Sequence, residues 1–141
     1  VYLCKIEPEN PNITTATVGT KNPVYCTSLG KAILAYTDEE TRRQVVGRIH
    51  FRKKTPRTIL SEEAFLAELE KVRRMGYALE AREVEEHMEC VGAPVYDREG
   101  RVLGAISASS LFKPTEDYHA LGLAVKQKAG EISQLLGYLG K

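Results

Sequence analysis

The residues best suited to chemistry fall in three places along the chain. The first is Cys26-Thr27-Ser28, within "NPVYCTSLGKAIL", where a strand-like run passes into an apolar helix. A helix start leaves backbone N–H groups without partners and carries partial positive charge. Small side chains let a ligand approach that backbone closely. Thr27, Ser28 and the amides of Leu29 and Gly30 could therefore hold a carboxylate or a phosphate. An ordinary N-cap by Thr27 or Ser28 explains the same residues.

The second place is a pair of strand-like runs, "MECVGAPVYD" and "RVLGAISASS". Strand alternation puts Leu103, Ala105, Ser107 and Ser109 on one face. It puts Met88, Cys90 and Gly92 on one face of the preceding run and Val91, Ala93 and Val95, which read as core, on the other. Met88, Cys90, Ser107 and Ser109 could line a small pocket of mixed polarity. Two serines at a strand end reaching solvent is the alternative.

The third place is the acidic run Glu80, Glu83, Glu85, Glu86 and Glu89. Such a run usually forms a solvated face, but Glu80 ends a β-rich run and could point inward. His87 and Cys90 have His-x-x-Cys spacing, yet zinc would need two more ligands from elsewhere, so no metal is expected. No Gly-x-Ser-x-Gly, P-loop or His-Glu-x-x-His occurs. His50, His87 and His119 stand in unrelated contexts, and nothing local would lower a cysteine pKa. These features argue against an enzyme and call for no cofactor.

The elements that must position these residues can be read from pattern. "VYLCKIE" alternates as a strand, "EPENPN" breaks it, and "ITTATVGTKNPVYC" reads as one or two strands. A short helix, apolar almost all round, is expected over residues ~28–37. Asp38 is the N-cap expected for a polar second helix. Ser61 should cap an amphipathic helix with Phe65, Leu66, Leu69 and Val72 as its stripe and Gly76 at its end. "YALEARE" and the two runs above read as strands, the last two joined by "DREG", a hairpin turn with Gly100 at positive φ. Thr115 is the expected cap of a long helix bearing Leu121, Val125, Ile132, Leu136 and Leu139. Interspersed helices and hairpin-joined strands imply an α/β (α+β) fold, with a mixed, largely antiparallel sheet and helices packed on it.

A chain of 141 residues suits one domain large enough for a real core. The net charge of +1 and the scattered Lys and Arg give no basic face for nucleic acid. Arg52-Lys53-Lys54 and Arg73-Arg74 read as solvated. Three widely spaced cysteines and no long apolar stretch fit a reduced, cytoplasmic protein without a membrane segment. Val1 opens inside a strand-like run, as expected of a fragment with more chain upstream.

"NPVYCTSLGKAILAY", "GYALEAREVEEHMECVGAPVYDREGRVLGAISAS" and "AGEISQLLGYLG" together resemble the IclR family of bacterial transcriptional regulators, at matching spacing over essentially the whole chain. The resemblance implies that residues 1–141 are the effector-binding domain, with a GAF-like fold, and that a winged helix-turn-helix precedes it. It implies a homodimer or homotetramer that meets operator DNA through that missing part, and a small organic acid, a keto acid or sugar acid, as effector. By family pattern, effector contacts fall on the helix-start amides and on Ser28, Leu29, Glu80, Cys90, Ser107 and Ser109, with Met88 as an apolar wall. Tyr25, Asn22 and Thr14 would make the pocket more polar, in the manner of 2-keto-3-deoxygluconate regulators. His87 and Gly92 depart from the usual Gly and Ala, and a ring at 87 would either narrow the mouth or face solvent. Two other readings compete. One is a GAF-like thiol enzyme such as a methionine sulfoxide reductase, using Cys90 with Cys26 or Cys4. The other is a structural dimerisation domain with its pocket filled by Met88 or Tyr25.

Overall fold

The computed structural model of the chain describes residues 1–7 and 16–140. Its centre is a three-stranded antiparallel sheet of β1 (Ala78–Ala81), β2 (Met88–Tyr96) and β3 (Val102–Leu111), in the order β1-β2-β3. Asp97 accepts the Arg101 and Glu99 amides, and Gly100 takes φ +79°, so the "DREG" turn closes as its residue types require. The β2–β3 register slips at Val95/Tyr96, beside that turn.

Helices cover both faces of the sheet. α1 (Ser28–Tyr36) starts against Gly92 of β2, and α3 (Glu62–Met75) packs behind it. Between them lies a core of Cys26, Ala32, Leu34, Ala35, Phe65, Leu69 and Val72, with Val46 of α2 (Glu39–Val46). α4 (Tyr118–Leu135) covers the opposite face, where Val91, Ala93 and Val95 meet Tyr77, Val125 and Ala129. The caps follow side-chain chemistry. Asp38 accepts from the Thr41 amide (2.9 Å), Ser61 from Ala64 (3.2 Å), and Gly76 ends α3 at φ +81°.

Several expectations are corrected. Residues 1–7 form no strand. Val1, Leu3 and Ile6 are 72%, 87% and 93% exposed, so their alternation covers no core, and Tyr2 meets the turn at Gly19–Thr20 through backbone bonds of 2.9–3.1 Å and accepts from the Asn22 side-chain amide at its hydroxyl (3.2 Å). Residues 16–26 are not strands either. Gly19 turns the chain at φ +86°, and Val24–Cys26 is a short 3₁₀ helix. The Thr27 hydroxyl donates to the Pro23 carbonyl (3.0 Å), a local bond that competes with a ladder. The expected break at 8–11, the strand start at 13–15 and Thr14 lie outside the described residues.

Leu66 of α3 faces outward, 38% exposed. The cap of α4 is Asp117, which accepts from the Ala120 amide (2.9 Å), because Thr115 is held in the turn closed by Glu116 N–H and the Lys113 carbonyl (3.0 Å). α4 buries Val125, with Leu121 half-buried beside it, as expected; the rest of its buried face is Gly122, Ala129 and Ser133, while Ile132 is exposed. A Cβ on Gly122 would lie 2.3–2.6 Å from the Tyr77 ring, so the helix approaches too closely for large side chains. Leu136 and Leu139 remain 44% and 95% exposed.

Candidate functional site: a cavity at the start of α1

α1 begins where it does because Thr27 caps it. The Thr27 hydroxyl accepts from the Gly30 amide at 3.2 Å. Gly30 is obligatory, since a Cβ there would meet backbone Cα and O of Val24 at 2.5 Å. The 3₁₀ turn therefore lies directly across the helix start. On the other side, a Cβ on Gly92 would sit 3.0–3.1 Å from the carbonyl and hydroxyl of Ser28. Glycines on both flanks let the first turn of α1 rest on the middle of the sheet.

Strand register completes the wall. Glu80 pairs with Cys90, and Cys90 with Ser109, so three polar side chains cross the sheet in one row. The Cys90 thiol lies between the Glu80 carboxyl and the Ser109 hydroxyl and interacts electrostatically with both. The next row on the same face is Ala78, Gly92 and Ser107. A cavity of about 70 Å³ opens between these rows and the start of α1. Ser28, Leu29, Glu80, Met88, Cys90, Ser107, Ser109 and Asn22 line it, as do Tyr2, Ala16, Thr27, Val84 and Glu85. Ser28 and Met88 are buried at its base, whereas Ser107 and Ser109 are exposed along its open side.

Among the described residues, Tyr25 is the expected contact placed elsewhere. Its ring packs in the core on Phe51, and its hydroxyl donates to the Arg52 carbonyl (2.9 Å) and accepts from the Arg52 amide (3.0 Å). His87 faces solvent beside Glu85 (3.3 Å) and does not line the cavity. Among the described residues no cluster of His, Cys, Asp or Glu is arranged to hold a metal.

The acidic run is only partly a solvated face: Glu86 is exposed and Glu85 half-buried, but Glu80, Glu83 and Glu89 are 2%, 5% and 5% exposed. Partners make that burial possible. One Glu80 oxygen accepts the Glu83 and Val84 amides. Glu83 pairs with the fully buried Lys31 of α1, whose ammonium also reaches the Leu79 carbonyl (3.0 Å) and Glu68 of α3 (3.4 Å). Glu89 faces Arg82 at 3.4 Å. Arg82 takes φ +62°, and three contacts hold this left-handed residue in place. Its carbonyl accepts from Thr55 (2.7 Å), its guanidinium lies 3.9 Å from the Phe112 ring, and Thr58 holds the next carbonyl (2.7 Å). Pattern reading missed Lys31, because a lysine in an apolar helix looks like a solvent-facing exception. Its partner Glu83 stands 52 positions away.

Burial raises the Glu80 carboxyl above its ordinary range, against the opposing effect of its amide and thiol partners. Burial also pushes the Cys90 thiol up to about 12 and Cys26 to about 11. Both cysteines are thus neutral near pH 7 and poor nucleophiles.

Both the sequence and the fold have known relatives. Residues 1–134 match the family model described as bacterial transcriptional regulator IclR C-terminal. The chain is 37% identical over 140 residues to the HTH-type transcriptional regulator KdgR of Escherichia coli K12, covering 98% of this chain and 53% of that protein. It is 34% identical to XynR of the same organism, covering 98% and 56%. The chain therefore spans about half the length of these relatives. The crystal structure of Thermotoga maritima IclR superposes with a TM-score of 0.86 at 32% identity, over 94% of this chain and 55% of that one. The C-terminal domain of E. coli KdgR superposes with a TM-score of 0.79 at 34% identity, over 86% and 75%. On the match of its sequence and its fold, the chain belongs to the IclR C-terminal family of bacterial transcriptional regulators.

Proposed function

We propose that this chain is the sensing domain of a transcriptional regulator and holds a small organic acid, a keto acid or sugar acid, in the cavity at the start of α1. The observation that carries the reading is the meeting of a helix start with Ser107 and Ser109. Ser28 and Leu29 of the first turn of α1, with the Ser28 hydroxyl and the two β3 hydroxyls, line one space, which suits recognition of a carboxylate. Asn22 and Glu80 offer partners for ligand hydroxyls, which favours a hydroxylated acid such as 2-keto-3-deoxygluconate.

The effector would act by favouring one arrangement of the protein over another. Operator DNA would be met by a winged helix-turn-helix in the part of the relatives that this chain does not span. Residues 1–141 would serve sensing and assembly into a homodimer or homotetramer. A cytoplasmic location suits that role; among the described residues no helix is long and apolar enough to cross a membrane. The raised Cys26 and Cys90 thiols favour this reading over a thiol enzyme. The open cavity, with Tyr25 engaged by Arg52, favours it over a purely structural domain.

A thermal-shift screen of keto acids and sugar acids tests the proposal. At least one acid should raise the Tm of the wild type, and less so that of Ser28→Ala and Ser107→Ala. If no acid stabilises the chain, or the variants respond as the wild type does, the reading fails.

A further inference from the structure

The cavity presents a problem for an acid. Among the described residues its lining holds two carboxyl groups, Glu80 and Glu85, and no Lys, Arg or His. An anion brought beside an ionised, buried carboxylate meets a like charge in a medium that screens poorly. Lys31 does not relieve this. Its three N–H donors are committed to Glu83, the Leu79 carbonyl and Glu68.

We propose that Glu80 meets the bound acid as a protonated carboxyl, so that each acid anion enters the cavity together with one proton from solvent. This rests on the acid-sensing reading above. The geometry leaves room for that proton. One Glu80 oxygen is occupied by the Glu83 and Val84 amides, so the proton sits on the other. There it turns a repulsion into a donated hydrogen bond, and it returns to solvent when the acid leaves.

Several titratable groups face Glu80; burial and the Glu83 charge favour its neutral form, while the Glu83 and Val84 amides and the Cys90 thiol favour the ionised one. From its own turn come Glu83 and, across the cavity, Glu85. α3 contributes Glu68, shared with Lys31 of α1. From β2 comes the Cys90 thiol, itself neutral, and from the N-terminal segment Tyr2. Burial is the largest effect, holding the carboxyl above its ordinary range before any acid arrives.

The test is titration calorimetry of the 141-residue chain with 2-keto-3-deoxygluconate and with pyruvate, from pH 5.5 to 8. Each pH is run in two buffers of different ionisation enthalpy. The expected result is proton uptake that rises from near zero below the Glu80 pKa of the free chain to about one per acid bound above it, with affinity falling about tenfold per pH unit in that upper range. Glu80→Gln keeps an oxygen for the two amides and places a permanent donor where the proton would sit. It should abolish both the uptake and the pH dependence, and bind more tightly than the wild type at pH 8. Binding with no proton uptake and an unchanged affinity at every pH, or uptake that persists in Glu80→Gln, overturns this proposal and leaves acid sensing intact. Failure of both acids to bind at every pH overturns the two together.

Discussion

At the residue scale, the site is made of weak, reversible contacts. Ser107 and Ser109 are exposed on an open strand and hold up no core. Removing either hydroxyl should leave stability within ~0.5 kcal/mol. Each should weaken acid binding roughly 5- to 10-fold, the loss of one hydrogen bond of about 1–1.5 kcal/mol. Paired calorimetric titrations and melts of Ser107→Ala and Ser109→Ala check this. Glu80 is the opposite case, buried and central. Its folded pKa is raised, so its contribution to stability is fully present below the unfolded pKa of about 4.3 and is lost as pH rises through the folded value. The melting temperature should therefore decline as pH climbs from about 4.5, and Glu80→Gln should flatten that part of the profile. A Glu80→Gln profile parallel to the wild type would show that burial does not govern this group.

At the element scale, two helices are held by features that are small in sequence and decisive in space. Gly30 admits the Val24 backbone to within 2.5 Å of where a Cβ would stand. Backbone cannot swing aside as a side chain can, so Gly30→Ala should cost about 2–3 kcal/mol, at the upper end for overpacking. It should also displace the amides that line the cavity, so melts and acid titrations of this variant should worsen together. α4 is tied to the sheet by Ser133, 1% exposed, whose hydroxyl accepts the Tyr96 amide (2.9 Å) and donates to the Ala129 carbonyl (2.7 Å). Tyr96 stands at the register slip, and its amide takes this hydroxyl as acceptor. Ser133→Ala should cost about 1–3 kcal/mol by orphaning that amide, measurable in urea unfolding.

Both features show where sequence reading stops. The 3.6-residue period located α4 and found Val125 and Leu121, but it passed over the small residues for Ile132, Leu136 and Leu139, because hydrophobicity outweighs size in a periodic pattern. The buried face is Gly122, Val125, Ala129 and Ser133, chosen by the closeness of Tyr77 from a different part of the chain. Strand alternation, by contrast, was enough to place Cys90, Ser107 and Ser109 on one face, since period two needs no partner to be read. The row Glu80–Cys90–Ser109 was not legible, because register is set by the turns that join the strands.

At the scale of the whole molecule, the fold is a sheet between α4 on one side and α1 with α3 on the other, and the cavity lies where α1 meets the sheet. The turn after β1 links this cavity to the helix layer through Glu80, Glu83 and Lys31. A ligand that braces this region should stabilise the fold as a unit. At an acid concentration 100 times Kd the gain is about 2.7 kcal/mol, roughly 8 °C at about 3 °C per kcal/mol for a chain of this size. The most direct measurement of the central claim is an amide-resolved NMR titration of the chain with 2-keto-3-deoxygluconate and pyruvate. The expected result is saturable shifts concentrated at the amides of Ser28, Leu29 and Gly30 and at Ser107 and Ser109 of β3. Saturable binding that leaves those amides unmoved, or no shift with either acid, would contradict it.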